Sequence, residues 1–183
     1  MVLKDPEKQK WHSVDFCTMI STNMRVNFSS TGGLGQYGCL LAFPYHQGET
    51  HLCEFGIPDL QPEFKTEKIW YGSMGSGQTL TDPFLAFIRK LFWKDGMPNI
   101  EEGIFAAVWA LQHAIEFNPG GIAGPIDIAV LSKQDNGEFK SHFLSAAEVE
   151  EHINNIKEIE NKITQHQKQF KSELAKDIPK PPS

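Results

Sequence analysis

The sequence predicts an α+β fold, and three observations predict it. Residues 69–131 run from a short apolar strand into a glycine-rich turn, through two helical patterns and a second glycine cluster, and into another apolar strand. Upstream, residues 37–55 hold two short β-rich runs separated by a turn, the pattern of an antiparallel hairpin. From residue 145 the chain becomes polar with a thin apolar stripe at helical period, so a long helix closes the order.

Taken in order, residues 1–10 are charged and expected to fray. Residues 11–28 predict a helix from Val14, Phe16, Cys17, Met19, Ile20, Met24 and Val26. Residues 29–35 read as a loop, 37–43 as a buried strand, 45–49 as a turn and 50–55 as the returning strand. Pro58 and Pro62 interrupt the chain, and 65–71 reads as a third strand. Residues 79–93 predict a helix capped by Thr81 or Asp82, with Pro83 in its first turn. Leu80, Phe84, Leu85, Phe87, Ile88, Leu91 and Phe92 give it a wide apolar face.

Asn99 caps the next helix, where Glu101 and Glu102 meet the positive end of the dipole. Ile104, Ala107, Val108, Leu111 and Ile115 form its expected buried face, and its alanines permit close packing. Residues 126–131 read as a fourth strand, 134–138 as an Asn-Gly hairpin turn and 139–143 as a fifth strand. Ser145 and Glu148 form a capping-box pattern ahead of a helix of about 30 residues. The organisation expected is a main domain over 1–144, a long polar helix over 145–178 and a disordered proline-rich tail over 179–183. No internal repeat is visible.

The chain has 183 residues, 40% hydrophobic and 22% charged, with a formal net charge of −6. That balance argues against a nucleic-acid partner, since no basic stripe is available to meet phosphates. Cys17, Cys39 and Cys53 are odd in number and widely spaced, which excludes a disulfide framework or a CxxC site and points to a reducing, cytoplasmic setting. No apolar run reaches the roughly 18 residues that span a membrane, and the polar start has no signal-peptide core.

The residues Tyr71-Gly72-Ser73-Met74-Gly75-Ser76-Gly77-Gln78, then 99–107, then Gly124-Pro125-Ile126-Asp127-Ile128-Ala129-Val130, together with the hairpin 38–55, carry a resemblance. Their order resembles the C-terminal half of a proteasome-type subunit of the N-terminal-nucleophile hydrolase superfamily. The similarity covers about 36–131. It implies a partial αββα sandwich, with two stacked sheets between helices, and assembly with other proteasome-like subunits or with itself. It also implies threonine-type peptidase chemistry, in which a freed N-terminal threonine attacks with its own amine as base.

Of the family's supporting residues only Ser76 has a counterpart, in the turn shaped by Gly72, Gly75 and Gly77. The later loop, 118–123, shows neither the aspartate nor the serine of the family. Thr18, Thr22 and Thr31 are weighed as nucleophiles, but none follows a glycine or opens an apolar strand. A complete family domain would need roughly 100 further residues upstream. The expectation is therefore a non-catalytic proteasome-like subunit in an oligomer. The alternatives are the C-terminal part of an active threonine-type peptidase or amidase, and an anion-binding or protein-interaction module.

The glycine turn lies between strand and helix, where phosphates bind, but its GxxGxG order matches neither a Walker loop nor the dinucleotide fingerprint. A tight turn is the stronger reading. His46, His51 and Cys53 fall near one hairpin, too few and too scattered for a metal centre. No cofactor is expected. The isoleucine stripe of the last helix suits either docking on its own domain or a coiled-coil partner.

Overall fold

The computed structural model describes residues 6–177 except positions 34, 36, 45–49, 58 and 119, with backbone alone for 6–12 and 172–177. The expected turn at 45–49, with its candidate ligand His46, and the expected tail at 179–183 lie outside the described residues, as do the first five positions. The fold is α+β: α1 (Pro6–Thr31), β1 (Cys39–Pro44), β2 (Thr50–Phe55), β3 (Pro62–Phe64), α2 (Gln78–Phe92), α3 (Ile100–Phe117), β4 (Ala129–Lys133), β5 (Phe139–Phe143) and α4 (Ala146–Asp177). Among the described residues no helix is long and apolar enough to cross a membrane.

Two hydrophobic clusters organise these elements. The first sheet, in the order β1-β2-β3, is antiparallel, with Leu41 opposite Cys53 and Cys39 opposite Phe55. Strand alternation puts Cys39, Leu41, Phe43, Cys53 and Phe55 on one face. There they meet Cys17, Ile20, Met24 and Phe28 of α1. Among the described side chains of α1 the buried ones are Ser13, Cys17 and Ser21, four apart, so small side chains form the strip that sits closest to the sheet. Of the bulky residues that predict this helix, Ile20 and Met24 pack on the cluster, whereas Val14, Phe16, Met19 and Val26 are exposed.

α1 also runs through the expected loop at 29–31. The backbone N–H of Gly33 donates to Phe28 O at 2.8 Å and that of Gly32, at φ +72, donates to Ser29 O at 3.4 Å, closing the helix as a Schellman motif. Ser21 Oγ, buried, donates to Leu60 O at 2.6 Å. Leu60 itself is fully buried at φ 57, a left-handed conformation that costs a non-glycine residue roughly 1 kcal/mol and is held here by that bond and its burial.

Burial pushes the Cys53 thiol up to about 12, reinforced by the neighbouring Cys17 and Cys39. Burial likewise raises Cys17 and Cys39. All three cysteines are free, and they pack as small apolar groups, as their sequence context suggests. Iodoacetamide at pH 8 is therefore expected to label Cys17 and Cys53 at least about tenfold more slowly than in urea, read by intact-mass spectrometry. Equal rates would show that this cluster is open.

The second cluster joins α2, α3, β4 and the first half of α4 around Ile88, Ala106, Val108, Ala110 and Ile156. α3 opens on the expected capping box: Asn99 accepts from the Glu102 N–H at 2.9 Å and the Glu102 carboxylate accepts from the Asn99 N–H at 2.8 Å. The small residues Ala106, Ala110 and Ala114 are all buried, as close packing requires. Ser145 and Glu148 make the second capping box, at the start of α4, a helix of 32 residues.

Three expectations are corrected. Residues 65–71 are not a strand: β3 is Pro62–Phe64, after which Thr66 and Ile69 bond each other across a tight turn. Pro62 is tolerated because β3 lies at the sheet edge and pairs on one side. α2 begins one residue earlier than expected, with Gly77 as N-cap and no side-chain cap, so Thr81 and Asp82 lie inside it and Pro83 is its sixth residue. Its buried face is Thr81, Leu85 and Ile88, narrower than the sequence suggests, and Phe87 and Leu91 stay 54% exposed. β4 starts at Ala129 rather than 126, although Ile126 and Ile128 still pack on the second cluster.

Candidate functional site

Residues 70–77 stitch the two clusters together. Trp70 and Tyr71 pack on the second cluster, where the Trp70 ring meets Trp93 edge-on at 5.8 Å. The chain then crosses the face of the first sheet turned away from α1. A Cβ at Gly72 would meet Lys65 Cε at 3.0 Å, Leu40 Cδ2 at 3.4 Å and Glu54 Oε2 at 3.5 Å, a close approach that those side-chain ends would have to ease. Beside it Lys65 Nζ bridges Glu54 at 2.5 Å and Glu63 at 3.1 Å. Burial works to lower the Lys65 pKa, but the bonds and charges of Glu54 and Glu63 prevail and hold it above its usual range.

The turn itself is fixed on α2. Ser73 Oγ donates to Asp82 Oδ1 at 2.5 Å, and Thr81 Oγ1 lies 2.6 Å from Ser73 Oγ and 3.0 Å from Gly77 O. Gln78 Nε2 donates to the other oxygen of Asp82 at 3.3 Å. This chain of side-chain bonds ties the glycine turn to the first turns of α2. Half-buried Tyr71 is raised above the ordinary phenol range, by partial burial first, with Arg89 and Lys65 opposing and Asp82 adding to the rise. Ser73 is the residue that sequence reasoning missed. Its only signal is a serine nine positions before an aspartate, which no recognised motif contains.

Ser76, the residue singled out from the sequence, is exposed, and its Oγ donates to Gly121 O at 3.3 Å. The structure thus brings it to the loop after α3, 45 residues on. Gly77 is buried against that same loop, where an added methyl would meet Ile122 Cδ1 at 2.6 Å. Gly75 has φ +92 with nothing within 4 Å of an added Cβ, so its requirement is conformational alone. Gly75→Ala is expected to destabilise the chain by about 1–2 kcal/mol through that backbone strain. Urea denaturation would measure it, and an unchanged midpoint would contradict the turn geometry.

Thr18, Thr22 and Thr31 all lie within α1, where Thr22 and Thr31 hydroxyls bond carbonyls of the same helix. His51 and Cys53 share one face of β2, the face turned to α1. Among the described residues no group of three or more His, Cys, Asp or Glu side chains is placed to hold a metal ion.

A cleft of about 750 Å³ lies between the two sheets. Its lining includes Ala42, Thr50 and Leu52 of the first sheet, Ala129 and Leu131 of β4, and Lys65, Trp70 and Met97. α1 packs on the first sheet in one cluster, and α2 and α3 share the other cluster with Val130 of β4. No family model, curated protein or solved structure matches the chain.

Proposed function

We propose that this chain is a proteasome-like subunit, non-catalytic as it stands, that assembles with further subunits of that type or with copies of itself in a cytoplasmic setting. The observation that carries the reading is the cleft whose lining joins Ala42 and Leu52 of the first sheet to Ala129 and Leu131 of β4, as two stacked sheets would. Two stacked sheets between helices are what the resemblance leads one to expect. The bond from Ser76 to Gly121 adds support, because in that family the glycine turn and the loop before the later strand meet at one site. Here the hydroxyl of Ser76 holds the loop backbone and is engaged with no acid or base.

The open cleft favours a second reading, in which a nucleophile-bearing segment supplied by another polypeptide fills it and makes a threonine-type peptidase or amidase. A panel of fluorogenic peptides with basic, acidic and apolar residues before the scissile bond, run on the chain alone and together with the polypeptides that co-purify with it, separates the two. The proposed subunit turns over none of them, alone or as Ser76→Ala. Turnover by the purified chain that Ser76→Ala diminishes would overturn the non-catalytic reading.

A further inference from the structure

The β4–β5 hairpin is a sheet of two strands with an open edge along β5. At its two ends the Leu144 N–H donates to Ile128 O at 2.9 Å and the Gln134 N–H donates to Glu138 O at 2.7 Å. The same register sets Val130 opposite His142 and Ser132 opposite Lys140. Antiparallel pairing alternates, so Lys140 and His142 turn their N–H and C=O groups toward β4, and Phe139, Ser141 and Phe143 turn theirs outward. Among the described residues no backbone or side-chain group bonds those outward groups, and no third strand joins the sheet. Residues 140–143 are all exposed, Phe143 to 76%.

This edge is complementary to itself. Phe139-Lys140-Ser141-His142-Phe143 is a palindrome of residue types: aromatic, basic, serine, basic, aromatic. Laid antiparallel on a second copy with Ser141 at the two-fold axis, every outward residue meets an outward residue: Phe139 meets Phe143, Ser141 meets Ser141 and Phe143 meets Phe139. The ladder then holds about six backbone hydrogen bonds. A shift of two residues either way leaves an outward residue of each strand unpaired and separates the phenylalanines. Lys140, which makes no ion pair among the described residues, faces His142 of the second copy. Two bonds from Ser145 and, more weakly, the nearby His142 hold the Glu148 carboxylate below its usual range, so an anion of the second copy lies beside the incoming lysine.

We propose that β5 pairs with β5 of a second copy of this chain, joining two hairpins into one four-stranded antiparallel sheet. Two strands alone are marginal, and four are not. The pairing satisfies an edge that stable proteins keep covered, and the cross-strand Phe139–Phe143 pairs shield a ring that is otherwise open to water. The contact is the same patch on both copies, so it closes as a dimer and builds no filament. It uses no residue of the glycine turn and stands whether or not the chain is proteasome-like.

The test is disulfide trapping on the full chain. Ser141→Cys, Lys140→Cys and His142→Cys, each made singly at an exposed position, are oxidised with copper phenanthroline and followed on non-reducing gels. The unmodified chain supplies the background from Cys17, Cys39 and Cys53. Across the axis Ser141 lies about 5.5 Å from its own mate, Cα to Cα, within disulfide range, whereas positions 140 and 142 lie diagonal to theirs at roughly 8 Å. Ser141→Cys is therefore expected to form covalent dimer at least about tenfold faster than either neighbour. Equal rates at the three positions, or no dimer from Ser141→Cys, would overturn the pairing. Hydrogen exchange on the unmodified chain is the second readout: the outward amides of Phe139, Ser141 and Phe143 should be protected at least about tenfold. Ser141→Pro, whose missing N–H points away from β4, should release Phe139 and Phe143. Free exchange of these amides in the unmodified chain would also overturn the pairing. A multimer that persists without either signal would sink the β5 contact and leave assembly through other surfaces standing.

Discussion

Phe55→Ala is expected to destabilise the protein by about 3–5 kcal/mol, the range for emptying a fully packed aromatic site. Phe55 is completely buried at the end of β2, in register with Cys39 on one side and Pro62 on the other. Its cluster is small, with Cys17, Cys53 and Leu60 as the other fully buried members, so little remains to fill the hole. The loss is a large share of the roughly 5–15 kcal/mol that holds an ordinary domain together. Because the second cluster shares no buried residue with the first, the damage should be local. Hydrogen exchange in the variant should speed up across β1, β2 and β3 while α3 keeps its protection. A cost below about 1 kcal/mol would show that α1 does not seal this sheet.

Ile156→Ala is expected to cost about 2–5 kcal/mol and to release the first half of α4. Val149, Ile153 and Ile156 fall on one face at helical spacing, and Ile156 is fully buried among the residues of α2, α3 and β4. The Trp109–Glu160 bond lies one turn further on. Beyond it the same stripe continues as Ile163 and Phe170, which are 57% and 55% exposed. Ile163→Ala should therefore change stability by no more than about 0.5 kcal/mol. The pair of variants locates where the helix leaves the body of the protein. Equal costs at 156 and 163 would mean that the distal half is packed as well.

Much of the fold was legible because local chemistry and tertiary packing agree. The capping boxes at Asn99 and Ser145 announce α3 and α4 at their first residues, and Gly137, at φ 84, closes the β4–β5 hairpin at the expected Asn-Gly pair. The β1–β2 hairpin follows the alternation that its burial requires. The misses arise where a rule sees one residue and the structure uses its neighbours. Pro62 reads as a breaker, yet an edge strand loses nothing by its missing N–H. Thr81 and Asp82 read as caps by type, but they serve the turn from inside the helix by holding Ser73.

For α1 the signal is right in part. Counting apolar side chains selects Cys17, Ile20 and Met24, which meet the sheet, but also Val14 and Met19, which stay exposed, and it passes over the buried Ser13 and Ser21. At the glycine turn, composition identifies the tight bend and the positions Gly72, Gly75 and Gly77. It cannot tell that each serves a separate purpose: a close crossing over Lys65 and Leu40, a left-handed φ, and contact with Ile122. The link from Ser76 to Gly121 spans 45 residues and leaves no local trace.

The proposed assembly would use surfaces the fold leaves open. Phe143 is 76% exposed opposite Ala129, Met97 is 56% exposed at the cleft rim, and β1 and β3 each present an edge among the described strands. Apolar faces and strand edges of this kind are covered in stable proteins by further strands or by another chain. Sedimentation velocity of the full chain at about 5 and 100 μM, the span over which an interface of moderate affinity fills, tests this most directly. The account predicts a discrete multimer of the 20.6 kDa chain that persists at the lower concentration. A compact, stable monomer at both concentrations would contradict it.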